Sequence, residues 1–138
     1  MEAYTVGSMT ETAEKYVLLI EDDPALQKAY QMKFETHGVK PHVVENGREA
    51  LQLIKQSGGV YPSVVILDLL LPYVSGFEIL ERIRETEGWR DVPVVIVSNL
   101  SEDSGMKKAE SLGVKNYFIK TGINLDEAVG KILSYVRT

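Results

Sequence analysis

Residues 64 to 72 read Val-Val-Ile-Leu-Asp-Leu-Leu-Leu-Pro, an apolar run, Val64–Leu67, closed by a single carboxylate, Asp68. Four consecutive apolar residues bounded by loop signals describe a strand buried on both faces, as in the middle of a parallel sheet. A carboxylate at the tip of such a strand is costly to desolvate unless it is paired or does chemistry. Working outward, three further runs have the same form. Val17–Ile20 ends in Glu21-Asp22-Asp23, Val94–Val97 ends in Ser98, and Tyr117–Ile119 ends in Lys120. Parallel strands point the same way, so their carboxyl ends share one edge of the sheet, the usual ligand edge of an open α/β fold. Acids, one hydroxyl and one ammonium therefore converge there, a set suited to a hard cation and a phosphoryl group.

Helix signals fill the gaps between the runs. Asp23-Pro24 is an N-cap followed by proline at the first helical position, and the helix is expected to run to about His37 and stop at Gly38. Asn46 with Glu49, Ser75 with Glu78 and Asn124 with Glu127 are capping pairs for three more helices, and Ser101 is the expected cap of a polar helix ending near Leu112. The last helix carries one apolar stripe, Leu125, Ala128, Val129, Ile132, Leu133 and Val136. Pro41 within the weak strand Val39–Val44 demotes that strand to a sheet edge. Five strand–helix units with right-handed crossovers predict an α/β doubly wound five-stranded parallel sheet, order 2-1-3-4-5, with five helices on two faces.

Composition narrows the function. At 138 residues the chain is long enough to bury roughly 70% of its unfolded surface as a single domain. No cysteine is present, which excludes disulfides and thiolate chemistry, and two histidines, His37 and His42, are too few for a histidine metal site. They read as surface residues, and Trp89 as a lid on the core. A net charge of −5 argues against a general nucleic-acid binder. No apolar stretch approaches the roughly 18 residues that span a bilayer, so no membrane association is expected. Residues 1–14 are polar and aperiodic and read as a tail, with Gly7-Ser8-Met9 resembling a cloning scar, ahead of one domain over 15–138.

Leu19-Ile20-Glu21-Asp22-Asp23-Pro24, Asp68-Leu69-Leu70-Leu71-Pro72-Tyr73-Val74-Ser75-Gly76, Ser98 and Tyr117-Phe118-Ile119-Lys120 together resemble the receiver domain of two-component response regulators, from about Tyr16 onward. The intervals agree: 46 residues separate Asp22 from Asp68, 30 separate Asp68 from Ser98, and 22 separate Ser98 from Lys120. The resemblance implies a phosphoacceptor of a phosphorelay, with Asp68 as the residue phosphorylated. It implies Mg²⁺ (or Mn²⁺) held by Asp22, Asp68 and the Leu70 backbone carbonyl, with Glu21 acting through water. Lys120 and Ser98 would contact the phosphoryl group, and Ser98 with Tyr117 would form the switch. A sensor histidine kinase or histidine phosphotransfer protein would donate the phosphoryl group, in the cytoplasm. A downstream target would meet the face of the fourth helix, fifth strand and fifth helix, with no direct nucleic-acid contact.

Plainer readings stand beside these. Asp23 suits a helix cap alone, Glu21 a helix N-terminus, and Tyr117 surface packing. Three features depart from the family pattern: Thr121 follows Lys120 where a cis proline is usual, Asn99 follows Ser98 where a small residue is usual, and apolar Leu70 and Leu100 flank the site where some relatives carry polar residues. The first leaves the Lys120–Thr121 bond open between cis and trans. The alternatives are an adaptor that is never phosphorylated and a small aspartate-based phosphohydrolase. The second would want another acid two residues after Asp68, where Leu70 stands.

Overall fold

The computed structural model describes residues 16–136, so the expected tail over 1–14 lies outside the described residues. The elements alternate: β1 Val17–Ile20, α1 Pro24–Glu35, β2 His42–Val44, α2 Gly47–Lys55, β3 Val64–Leu67, α3 Gly76–Glu85, β4 Val94–Ser98, α4 Asp103–Ser111, β5 Asn116–Ile119 and α5 Leu125–Val136. All pairings are parallel, in the order β2-β1-β3-β4-β5. This is the expected topology, with the three acid- or hydroxyl-tipped strands side by side at its centre.

Period-2 alternation divides the core between the faces. Leu18, Ile20, Val65, Leu67, Val94 and Ile96 pack against Ala50 and Ile54 of α2, Ile79, Leu80 and Ile83 of α3, and Ala109 of α4. Val17, Leu19, Val64, Ile66, Val95 and Val97 pack against Tyr30 and Phe34 of α1 and Val129, Ile132 and Leu133 of α5. Lys33 and Asp126 join α1 to α5 at 2.6 Å. Trp89 is fully buried, donating from Nε1 to Ser57 Oγ at 3.0 Å and meeting Tyr61 edge-on. It closes the core at the end where the strands begin.

Local chemistry sets the helix ends. Asp23 caps α1 by accepting the Ala25 N–H at 3.0 Å, and Pro24 occupies the first turn. Asn46, Ser75 and Asn124 accept the N–H of Glu49, Glu78 and Glu127. Helix α1 is assigned only to Glu35 rather than His37, because its last turn tightens: Gly38 N–H bonds the Glu35 carbonyl and Val39 N–H the Phe34 carbonyl. That closure needs the left-handed φ of 74° at Gly38. Strand β2 begins at His42, three residues later than expected, since Pro41 offers no N–H to the ladder.

Ser101 does not cap α4. Glu102 occupies the cap position without a side-chain bond and the helix starts at Asp103. The preceding loop is already committed, because Leu100 bonds Ser98 and Tyr117 through its N–H and carbonyl. Only Ala109 of α4 is buried, so the weak anchorage read from its composition is observed.

Gly76 locks the loop that carries Asp68. A Cβ there would stand 2.4 Å from the Asp68 carbonyl oxygen and 2.5 Å from Leu69 Cα, both backbone atoms. Gly76→Ala is expected to destabilise the fold by about 3 kcal/mol, read by chemical denaturation. A loss under about 1 kcal/mol would show that the loop can retreat.

Candidate functional site

The carboxyl ends of β1, β3, β4 and β5 deliver Glu21, Asp22, Asp68, Ser98 and Lys120 to one corner. Glu21 continues the alternation of Val17 and Leu19 toward the α1 and α5 face and is 2% exposed, while Asp22, in the loop past the strand end, is open to solvent. Asp68 is 3% exposed and Ser98 is fully buried.

Lys120 is the hub. Its Nζ lies 2.6 Å from Asp68 Oδ2 and 3.0 Å from each carboxylate oxygen of Glu21. Lys120 is thus tied to both buried carboxylates. The second Asp68 oxygen, Oδ1, accepts the Leu70 N–H at 2.9 Å. Glu21 Oε2 also accepts the Asp23 N–H at 3.0 Å, and Gln27 Nε2 donates to the Glu21 carbonyl at 2.6 Å. Ser98 Oγ accepts the Leu100 N–H at 3.3 Å, which leaves its own proton available to a ligand. Tyr117 is half-buried and its hydroxyl donates to the Leu100 carbonyl at 2.5 Å.

Burial and pairing pull these groups in opposite directions. Burial pushes the Glu21 carboxyl above its ordinary 4.5, and the Asp23 N–H and Lys120 only partly reverse this. Burial alone would lower the Lys120 ammonium, but hydrogen bonds to Asp68 and Glu21 outweigh it and hold Lys120 above 10.5. The Glu21 shift has a defined sign. Its contribution to stability is complete below pH 4.5 and is lost as pH rises through the raised value. Glu21→Gln, which cannot ionise, is therefore expected to keep its stability as pH rises from 4.5 to 7, where the parent loses some. It should also flatten the fall in melting temperature above pH 4.5. Equal pH profiles for the two proteins would contradict this.

One carboxylate oxygen from each of Glu21, Asp22 and Asp68 lies within 4.8 Å of the others. Adjacent oxygens around an octahedral Mg²⁺ stand about 3 Å apart and opposite ones about 4 Å. The three acids are thus gathered on the scale of such a shell. Three hard anionic oxygens, with one ligand open to water, suit a hydrated divalent cation.

Every peptide bond among the described residues is trans, including Lys120–Thr121. Lys120 reaches Asp68 all the same. Two contributors, Gln27 and Tyr30, escaped the sequence reading, and Asn99, noted there only as a departure from the family pattern, gains a partner. Gln27 gives no signal beyond lying one turn into α1. Asn99 accepts the Thr121 N–H at 3.1 Å, a link between two loops. Tyr30 is fully buried on α1 with its hydroxyl unpartnered among the described residues, and burial and the charges of Glu21 and Asp68 push its phenol upward. His37 and His42 are exposed, although His42 meets Tyr16 edge-on.

Known proteins place this geometry. A probable methanogenesis regulatory protein, FilR2, from Methanothrix harundinacea is 32% identical over 120 residues, covering 83% of this chain and 77% of its own. Chemotaxis protein CheV2 from Helicobacter pylori is 32% identical over 124 residues, covering 88% of this chain, which spans only 40% of that protein. The Mn²⁺-bound form of response regulator Rcp1 superposes with a TM-score of 0.76 at 25% identity, covering 86% of this chain and 91% of that one. The profile of the response regulator receiver domain matches residues 17–132, nearly all of the described fold and every strand-end residue of the site, and the chain belongs to that family.

Proposed function

We propose that Asp68 is the phosphoacceptor of this receiver and that phosphorylation there remodels the α4–β5–α5 face. The observation that carries the reading is the Lys120 ammonium 2.6 Å from Asp68, with Glu21 and Asp22 gathered around the same carboxylate. An Asp68 oxygen attacks phosphorus of a phosphohistidine or a small acyl phosphate. The bond from phosphorus to the imidazole nitrogen or acyl oxygen breaks, its electron pair leaves with that group, and an aspartyl phosphate remains.

A divalent cation held by Asp22, Asp68 and the Leu70 carbonyl, with Glu21 acting through water, would supply positive charge that offsets repulsion between carboxylate and phosphate. Lys120 neutralises Asp68 before transfer and holds a phosphoryl oxygen afterwards. Ser98 donates its unused proton to another oxygen. Both act by positioning and by charge placed in advance.

The switch follows from the loop bonds. When Ser98 turns toward the phosphoryl group it gives up the Leu100 N–H, and Leu100 is also the residue that Tyr117 holds. Helix α4 follows directly, with one buried residue and no side-chain cap to resist movement. Its displacement alters the face offered to a downstream target, while a sensor histidine kinase or histidine phosphotransfer protein in the cytoplasm supplies the phosphoryl group.

Isotope-labelled protein with Mg²⁺ and beryllofluoride, a phosphoryl mimic, tests this. Amide signals of Ser98, Leu100, Tyr117 and α4 are expected to shift together. Shifts confined to the three acids would remove the switch from the account.

A further inference from the structure

Ser98 and Lys120 end neighbouring strands, and the residues that follow them are joined across the gap. The last backbone rung runs from the Lys120 N–H to the Ser98 carbonyl at 3.0 Å. One residue on, the Thr121 N–H donates to Asn99 Oδ1 at 3.1 Å. A side-chain acceptor thus continues the ladder after the β4 backbone has turned away. The carbonyl of Leu100 is engaged by Tyr117. Lys120 consequently sits between two held amides, its own and that of Thr121, and its carbonyl accepts the Ile123 N–H at 3.3 Å. Its backbone is fixed on both sides although the following residue is not proline and the bond is trans.

We propose that Asn99 is a positioning residue for Lys120: its side chain clamps the Thr121 N–H and so sets the line along which the ammonium reaches Asp68 and then the phosphoryl group. This rests on Asp68 being the acceptor. The lysine side chain is long and freely rotating, so an ammonium 2.6 Å from Asp68 depends on where the backbone starts it. Catalytic groups displaced by about 1 Å lose up to about a hundredfold in rate. The clamp itself is exposed at both ends, since Asn99 and Thr121 face solvent. A bond in competition with water adds little to stability. Its loss is therefore expected in the reaction rate rather than in the melting temperature. The clamp also touches none of the three acids, so cation affinity should not depend on it.

Both halves can be removed independently. Asn99→Ala deletes the acceptor, and Thr121→Pro deletes the N–H while installing the residue usual there in the family, so it serves as the background in which Asn99→Ala is repeated. Three readouts apply to the parent, the two variants and the double variant: initial phosphorylation by acetyl phosphate, Mg²⁺ affinity by calorimetry, and the Lys120 side-chain ammonium signal by NMR. Thr121 amide exchange is read in the parent and in Asn99→Ala, which keep that N–H. The parent should protect the Thr121 amide, and Asn99→Ala should not. Asn99→Ala should phosphorylate about tenfold more slowly, with Mg²⁺ affinity and melting temperature unchanged. The double variant should be no slower than the slower single variant, because both remove the same interaction. Parent-like phosphorylation in Asn99→Ala, effects that multiply in the double variant, or a matching loss of Mg²⁺ affinity would each overturn the proposal.

A parent that takes no phosphoryl group from acetyl phosphate would sink the acceptor reading instead. The ammonium signal then decides the clamp alone. It is expected to be sharp in the parent and broadened in Asn99→Ala, and an unchanged signal would overturn the clamp.

Discussion

Lys120→Met is expected to lower stability at neutral pH by about 3 kcal/mol and to slow phosphorylation by acetyl phosphate about a hundredfold or more. The stability loss follows from what the ammonium holds together. Glu21 and Asp68 are 2% and 3% exposed, and Lys120 contacts both. Removing one member of a buried ionic set typically costs about 3–5 kcal/mol, because the remaining charge keeps its desolvation penalty. Lys120 retains 18% exposure and Asp22 opens to water, which places the expectation at the low end. The rate loss follows from removing a positive group aimed at developing charge, an effect of about 10²–10³ in comparable sites. Mg²⁺ should restore part of the stability, since a cation binding only the folded state substitutes for the missing charge. Denaturation with and without Mg²⁺ checks the first claim and initial rates check the second. A variant within about 1 kcal/mol of the parent would mean that the two carboxylates are relieved by protonation or water.

Asp68→Asn is expected to abolish phosphorylation while leaving the fold intact. The amide is nearly isosteric, and its oxygen still accepts the Leu70 N–H that now meets Oδ1. In the parent, three carboxylates cluster together and one ammonium meets two of them, so removing a carboxylate also relieves repulsion. The melting temperature without cation should stay within a few degrees of the parent. Mg²⁺ affinity should fall by at least about tenfold, equivalent to about 1.4 kcal/mol, because one anionic ligand is gone. Calorimetry and intact mass read these together. A variant that still acquires a phosphoryl group would place the acceptor elsewhere.

The sequence exposed most of the frame because its strands are buried on both faces. Val64–Leu67 and Val94–Val97 have no polar position to confuse the reading, and the acids and ammonium at their tips follow from strand direction. Ser98 and Lys120 were recognisable because each terminates a strand. Ser101 misled because capping preference is local, whereas the start of α4 is set by Leu100 bonds to Ser98 and to Tyr117, 17 residues away. The Asn99–Thr121 link was illegible for the same reason: each residue stood out only as a departure from the family pattern, and the bond between them exists only because β4 and β5 are neighbours. Tyr73 was equally silent. It adopts φ 71° and lies 72% exposed with Arg48 stacked 4.4 Å from its ring centre, a conformation a bulky residue rarely takes.

The central claim is that Asp68 carries the phosphoryl group. Incubation of the parent with acetyl phosphate and Mg²⁺, borohydride reduction of the acyl phosphate, and mass spectrometry of the peptides locate the modified residue. The account predicts reduction product at Asp68 alone, formed with Mg²⁺ and absent with chelator. Product at Asp22 or Glu21, or none at any residue, would contradict it.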